Sequence, residues 1–169
     1  MPKAHQHIVV AVDFSSHATL ALEEAVDIAH KYQARLTVVY VIPQVIFHPD
    51  WATDMEDTID ISDITEEAQK ALTSMVAPYR QKGLMITERV VSGGPYIEIV
   101  RLARELGADL IVVGAHGTAH GRPALIGSVA ENVMRSAPCS VLTVREPAAA
   151  PSWPCTGVTQ KDVNTVPGE

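Results

Sequence analysis

The sequence predicts a single-domain α/β fold: a five-stranded parallel sheet with helices on both faces. Three observations carry that expectation. Short runs of β-branched and apolar residues recur along the chain, and stretches of helical periodicity separate them. Most of these runs are apolar without alternation, as in strands covered on both faces. The third observation is Leu110 to Val133, where one such run stops at Gly114 and Gly127-Ser128 leads into an apolar-periodic segment. That stretch reads as a strand, a glycine-bounded loop and a helix, and parallel sheets bind ligands beyond the carboxyl ends of their strands.

Taken in order, Ile8 to Val12 is a continuous apolar strand ending at Asp13, after which Ser15 or Ser16 can cap a helix. Ala18, Ala21, Leu22, Ala25, Ile28 and Ala29 form that helix's buried stripe. Leu36 to Ile42 is the second strand, stopped by Pro43. Residues 43–62 hold Phe47, Trp51 and several acids and read as a long surface excursion, without the ligand spacing of a calcium loop. A helix over about 64–81 follows, with Gly83 as its stop. Met85 to Val91 alternates in polarity, which places it near a sheet edge. Pro95 opens the next helix; Ile97, Val100, Ala103 and Leu106 supply much of its buried stripe and Gly107 ends it. After Leu110–Val113, the pair Ser128 and Glu131 has the spacing of a capping box, which sets the last helix to start at Ser128. Pro138 closes that helix, and Ser140 to Val144 is the last strand. Beyond residue 146 the chain is rich in Pro and Ala, so residues 1–146 read as the domain and 147–169 as a mobile tail.

Composition narrows the function. A chain of 169 residues, 47% hydrophobic, supports a real core, and a formal net charge of −7 disfavours nucleic acid and membrane surfaces as partners. No apolar run approaches the ~20 residues of a membrane span, and the first residues lack the hydrophobic block of a signal peptide. Two cysteines, Cys139 and Cys155, make neither a metal-spaced pair nor a disulfide framework, so a cytoplasmic location is expected. Cys139 is expected as a small buried apolar group, and His5 and His7 as solvent-facing. His116 and His120 are four apart in a loop, outside the helical geometry of a zinc pair.

The loop before Ser128 carries the functional expectation. A helix N-terminus presents unpaired N–H groups and the positive end of a dipole, and Gly127 lets an anion approach the backbone. Two familiar phosphate loops are excluded. There is no Gly-x4-Gly-Lys-Ser/Thr, and the first strand runs into Asp-Phe-Ser-Ser-His rather than Gly-x-Gly-x-x-Gly.

Gly114, Gly117, Gly127 and Ser128 stand in the order Gly-x2-Gly-x9-Gly-Ser. With Ile-Val-Val-Ala-Val-Asp-Phe-Ser at the start and Ala-Pro-Cys-Ser-Val-Leu-Thr-Val at the end, the chain resembles the universal stress proteins over about residues 5 to 145. The match is to the ATP-binding subgroup, whose fold is Rossmann-like, of the adenine nucleotide α-hydrolase type. The resemblance implies that Asp13 binds the adenosine part of the ligand and that Val41 sets its backbone against the adenine edge. It implies that Val113, Gly114 and Gly117 line ribose and phosphates with His116 between them. Gly127, Ser128 and Val129 would hold phosphate through backbone N–H groups and the Ser128 hydroxyl. Ala115 and Ala130 stand where hydroxyl residues are common in the family.

The expected ligand is ATP, or AMP or ADP, accompanied by Mg2+ held through phosphates and water. The expected role is a regulatory stress-response module and not an enzyme, because the loop has no carboxylate to serve as a base. Two alternatives stay open: a stress dimer that acts through protein partners without nucleotide, and an ATP-using enzyme of the same fold. The family also commonly dimerises through its last strand, which implies a homodimer through Val141–Val144, with a further protein partner unknown.

Overall fold

A computed structural model describes residues 5–44, 61–80, 83–116 and 126–146. Its elements alternate strictly: β1 His7–Val12, α1 Ser16–Tyr32, β2 Arg35–Pro43, α2 Ile61–Arg80, β3 Ile86–Gly93, α3 Pro95–Glu105, β4 Leu110–Gly114, α4 Ser128–Ser136 and β5 Ser140–Val144. The five strands form one parallel sheet in the order β3-β2-β1-β4-β5, the doubly wound architecture expected from the sequence.

The pleat divides the core into two layers. Ile8, Val10 and Val12 of β1 point to the face covered by α1 and α2, where Leu22, Leu36, Val38, Leu72, Val76 and Val112 join them. Val9 points to the opposite face, packed with Val39, Ile111 and Val113 under Ile99 and Leu102 of α3 and Val133 of α4. Burying each such side chain contributes roughly 1.5–3 kcal/mol, so both layers contribute substantially to stability.

Local chemistry sets the helix ends. Ser15 caps α1, its Oγ accepting from Ala18 N–H at 3.1 Å. Gly94 and Pro95 open α3, and Gly107, at φ 60°, turns the chain after it. Two expectations for helices need correction. The cap of α4 is Gly127, with no side-chain capping bond; Ser128 is already helical, and the Glu131 carboxylate pairs with Arg135 at 2.9 Å instead of reaching back. In α3 the stripe is Ile99, Val100, Leu102 and Ala103, while Ile97 is 51% exposed. Four residues stepped by three along a helix drift by half a turn, so Ile97 and Leu106 cannot share one face, and Leu106 is the one that packs.

β3 lies at one edge of the sheet, as its alternation predicts, and β5 at the other, as the resemblance implies. On β3 the Glu88 carboxylate, 8% exposed, accepts from Arg80 at 2.7 Å, Gln69 at 2.9 Å and Thr73 at 2.6 Å, stitching α2 to the edge. On β5, Val141 to Val144 are all half-buried.

His7 does not face solvent as expected, and His5 is half-buried. β1 is central, with β2 and β4 on either side, so even its first residue is covered. His7 is 5% exposed; its Nε2 lies 2.9 Å from Thr37 Oγ1 and its Nδ1 3.2 Å from the Leu106 carbonyl. The carbonyl can only accept, so Nδ1 carries the proton and Nε2 accepts from the threonine hydroxyl. Burial, reinforced by the Arg35 charge, lowers the His7 pKa. His5 pairs with Asp109 at 3.0 Å. Burial alone would raise that carboxyl, but hydrogen bonds from Gln6 N–H, His5 and His7 N–H together hold it below the usual range.

Candidate functional site

Strand order reverses between β1 and β4, which opens a crevice at the carboxyl edge of the sheet. Ala11 is paired with Val113 and Val12 with Tyr40, so Asp13, Val41 and Gly114 come to the same edge from three adjacent strands. Val41 is 7% exposed and Val113 3%, and Asp13 is half-buried.

Asp13 is committed locally as well as placed. Its Oδ1 accepts from Ser15 N–H at 3.1 Å and from Ser15 Oγ at 2.5 Å. It is therefore not the cap of α1 but the group that orients the cap. The turn it closes holds Phe14 at φ 62°, a left-handed conformation rare for an aromatic residue, with its ring on Tyr40 at 4.7 Å.

Gly114 has a steric reason of its own. A Cβ there would sit 3.0 Å from the backbone carbon and Cβ of His17 and 3.1 Å from its carbonyl oxygen. The first turn of α1 therefore needs this glycine, whatever a ligand needs.

The loop after β4 is pinned at its base. Ala115, 1% exposed, donates to Val144 O at 2.6 Å and accepts from Gly127 N–H at 2.7 Å. The Gly127 N–H is thus engaged by protein, while Gly127 O accepts from Glu131 N–H to close the first turn of α4. The amides of Ser128, Val129 and Ala130 have no acceptor within the helix. Ser128 and Val129 are exposed, Val129 by 38%. The donors available to an anion here are these three N–H groups and the Ser128 hydroxyl. His116 is half-buried, its ring 5.2 Å from that of His17 at an interplanar angle of 56°. Gly117 lies outside the described residues, as do Phe47, Trp51, His120 and the segment 147–169.

The structure thus gathers Asp13, Val41, Val113, Gly114, His116, Gly127, Ser128 and Val129 at one edge. Sequence reasoning missed His17, which carries no motif signal because the residues it touches are remote in the chain. Cys139 is half-buried against the α3–α4 layer, and burial raises its thiol pKa, as for an inert side chain. Among the described residues no group of three His, Cys, Asp or Glu is arranged to hold a metal ion. None of their helices is long and apolar enough to cross a membrane. A shallow concavity of about 520 Å3 beside α1 is flanked by Glu23 and Glu146, which suits no polyanion.

Comparison with known proteins places the chain in a family. The family model described as "Universal stress protein family" matches residues 4–145. Universal stress protein A homolog 1 of Coxiella burnetii is 34% identical over 142 residues, covering 83% of this chain and 96% of that protein. A universal stress protein crystallised in complex with cAMP is 30% identical, with a TM-score of 0.63 over 84% of this chain and 98% of that one. The universal stress protein of Archaeoglobus fulgidus in complex with dAMP is 28% identical, with a TM-score of 0.61 over 84% and 99%. The chain belongs to the universal stress protein family.

Proposed function

We propose that this protein binds an adenine nucleotide, ATP or its di- or monophosphate, and acts as a regulatory module of the stress response. The observation that carries the reading is the donor set at the start of α4. Three amides without helical acceptors and one exposed hydroxyl stand beside a crevice bounded by Asp13 and Val41. Such a set fits phosphate oxygens, which accept several N–H bonds at once, and the helix dipole adds to the attraction. The related structures in complex with cAMP and dAMP support adenine as the base.

In this reading Asp13 and Val41 hold the adenosine end and Val113, Gly114, His116 and Gly117 line the middle. Ser128 and Val129 hold phosphate. Gly127 contributes by lacking a Cβ and by shaping the turn, since its amide is engaged by Ala115. The donor set supplies no carboxylate for Mg2+, so a cation would be held by phosphates and water. The same lack favours a binding protein over an enzyme, with slow hydrolysis compatible. The half-buried edge of β5 supports homodimerisation through Val141–Val144.

The test is direct. Protein purified without added nucleotide is heated, and the supernatant is assayed for adenine nucleotide, with ATP affinity then measured on stripped protein. The reading predicts bound nucleotide or measurable affinity, abolished in Gly127→Glu at unchanged melting temperature. Absence of both in the wild type refutes it.

A further inference from the structure

We propose that His17 is a positioning residue of the nucleotide site, holding the Ala115–Gly127 hydrogen bond at the base of α4 through its contact with the His116 ring. The inference rests on the nucleotide reading for its ligand, but its geometry stands without one.

Three contacts place the first turn of α1 between the two ends of the site. At one end the Asp13 carboxylate orients Ser15, whose Oγ caps the helix at Ala18 N–H. At the strand end, the backbone and Cβ of His17 lie where a Cβ on Gly114 would be 3.0–3.1 Å away. At the other end, the His17 ring meets that of His116 at 5.2 Å, tilted by 56°. His116 is the first residue after the pinned Ala115, so a ring packed on it restrains the direction in which the chain leaves β4. The pair has a definite geometry, with a separation inside the range of about 4.5–7 Å for aromatic ring contacts. The turn that Asp13 builds is therefore the same turn that packs against the residue next to the Ala115–Gly127 hydrogen bond, so the first turn of α1 touches both ends of the site.

The site's own glycine fits this account. At Gly114 the close approach is made by α1 and not by solvent, so the helix is seated directly on the strand-to-loop junction. His17 itself is half-buried.

The experiment uses the full chain and two substitutions, His17→Ala and His17→Phe, with three readouts. The first is affinity for ATP and for adenosine by titration calorimetry. The second is hydrogen exchange of the Gly127 amide in protein free of nucleotide, and the third is melting temperature. His17→Ala is expected to weaken ATP by about tenfold, to leave adenosine within about twofold, and to speed Gly127 exchange by about tenfold at unchanged melting temperature. His17→Phe keeps a ring on His116 and is expected to restore both within about threefold. Unchanged Gly127 exchange in His17→Ala overturns the proposal, as does a phenylalanine variant that behaves like alanine. A uniform loss of ATP and adenosine with a lowered melting temperature also overturns it, by reducing His17 to a structural role. If the wild type binds no nucleotide at all, the functional reading falls, and the exchange measurement still decides the role of His17.

Discussion

Acid should loosen this fold through His7, and the sign follows from its surroundings. In the folded state His7 is buried and both ring nitrogens are satisfied in the neutral form, by the Leu106 carbonyl and the Thr37 hydroxyl. Burial and the neighbouring Arg35 charge lower its pKa below the ordinary 6.5. The unfolded chain therefore takes up a proton at a pH where the native chain does not. The stability this provides is fully present above the unfolded pKa and is lost as pH falls toward the depressed folded value. The slope is at most about 1.4 kcal/mol per pH unit, so the fall between pH 7.5 and 5.5 reaches at most about 1.4 kcal/mol. Asp109 works lower: its depressed carboxyl stabilises above its unfolded pKa of 3.8 and gives that up only as pH drops further. The assay is urea unfolding across this range for the wild type and for His7→Gln. The two proteins differ only at this side chain, so the difference between their stability curves isolates His7. A difference that shrinks as the solution is acidified from pH 7.5 to 5.5 is expected. A flat difference, or one that grows on acidification, refutes the reasoning.

Other substitutions report on separate parts of the account. Gly114→Ala places a methyl 3.0 Å from the His17 backbone and should cost about 1–3 kcal/mol by overpacking, read as a lowered urea midpoint. Glu88→Ala removes the acceptor of three hydrogen bonds at the β3 edge and should cost about 2–4 kcal/mol, read the same way. Thr143→Lys sets a charge on the half-buried β5 edge and should convert the proposed homodimer to monomer in size-exclusion chromatography with light scattering.

Much of the architecture was legible because it rests on local pattern. Unbroken apolar runs marked the inner strands, the alternation around Ile86 and Val90 marked β3 as an edge, and Pro95 marked the start of α3. The errors share a physical cause, which is that tertiary neighbours decide between locally equivalent options. His7 sits near a chain end, but it opens a central strand and is buried by what lies on either side. The Ser128–Glu131 spacing permits a capping box, yet Gly127 in extended geometry starts the helix and Glu131 finds Arg135. At the site, the convergence of Asp13, Val41 and Gly114 followed from strand order. The engagement of the Gly127 amide and the place of His17 did not, because both depend on partners remote in sequence or across a loop.

The central claim is that phosphate is held by the first-turn amides of α4, and backbone amide shifts of labelled protein test it most directly. Titration with ATP and Mg2+ should move the Ser128, Val129 and Ala130 amide resonances, and adenosine at saturating concentration should leave those three in place. Shifts confined to other residues, or the same response to adenosine as to ATP, would contradict the account.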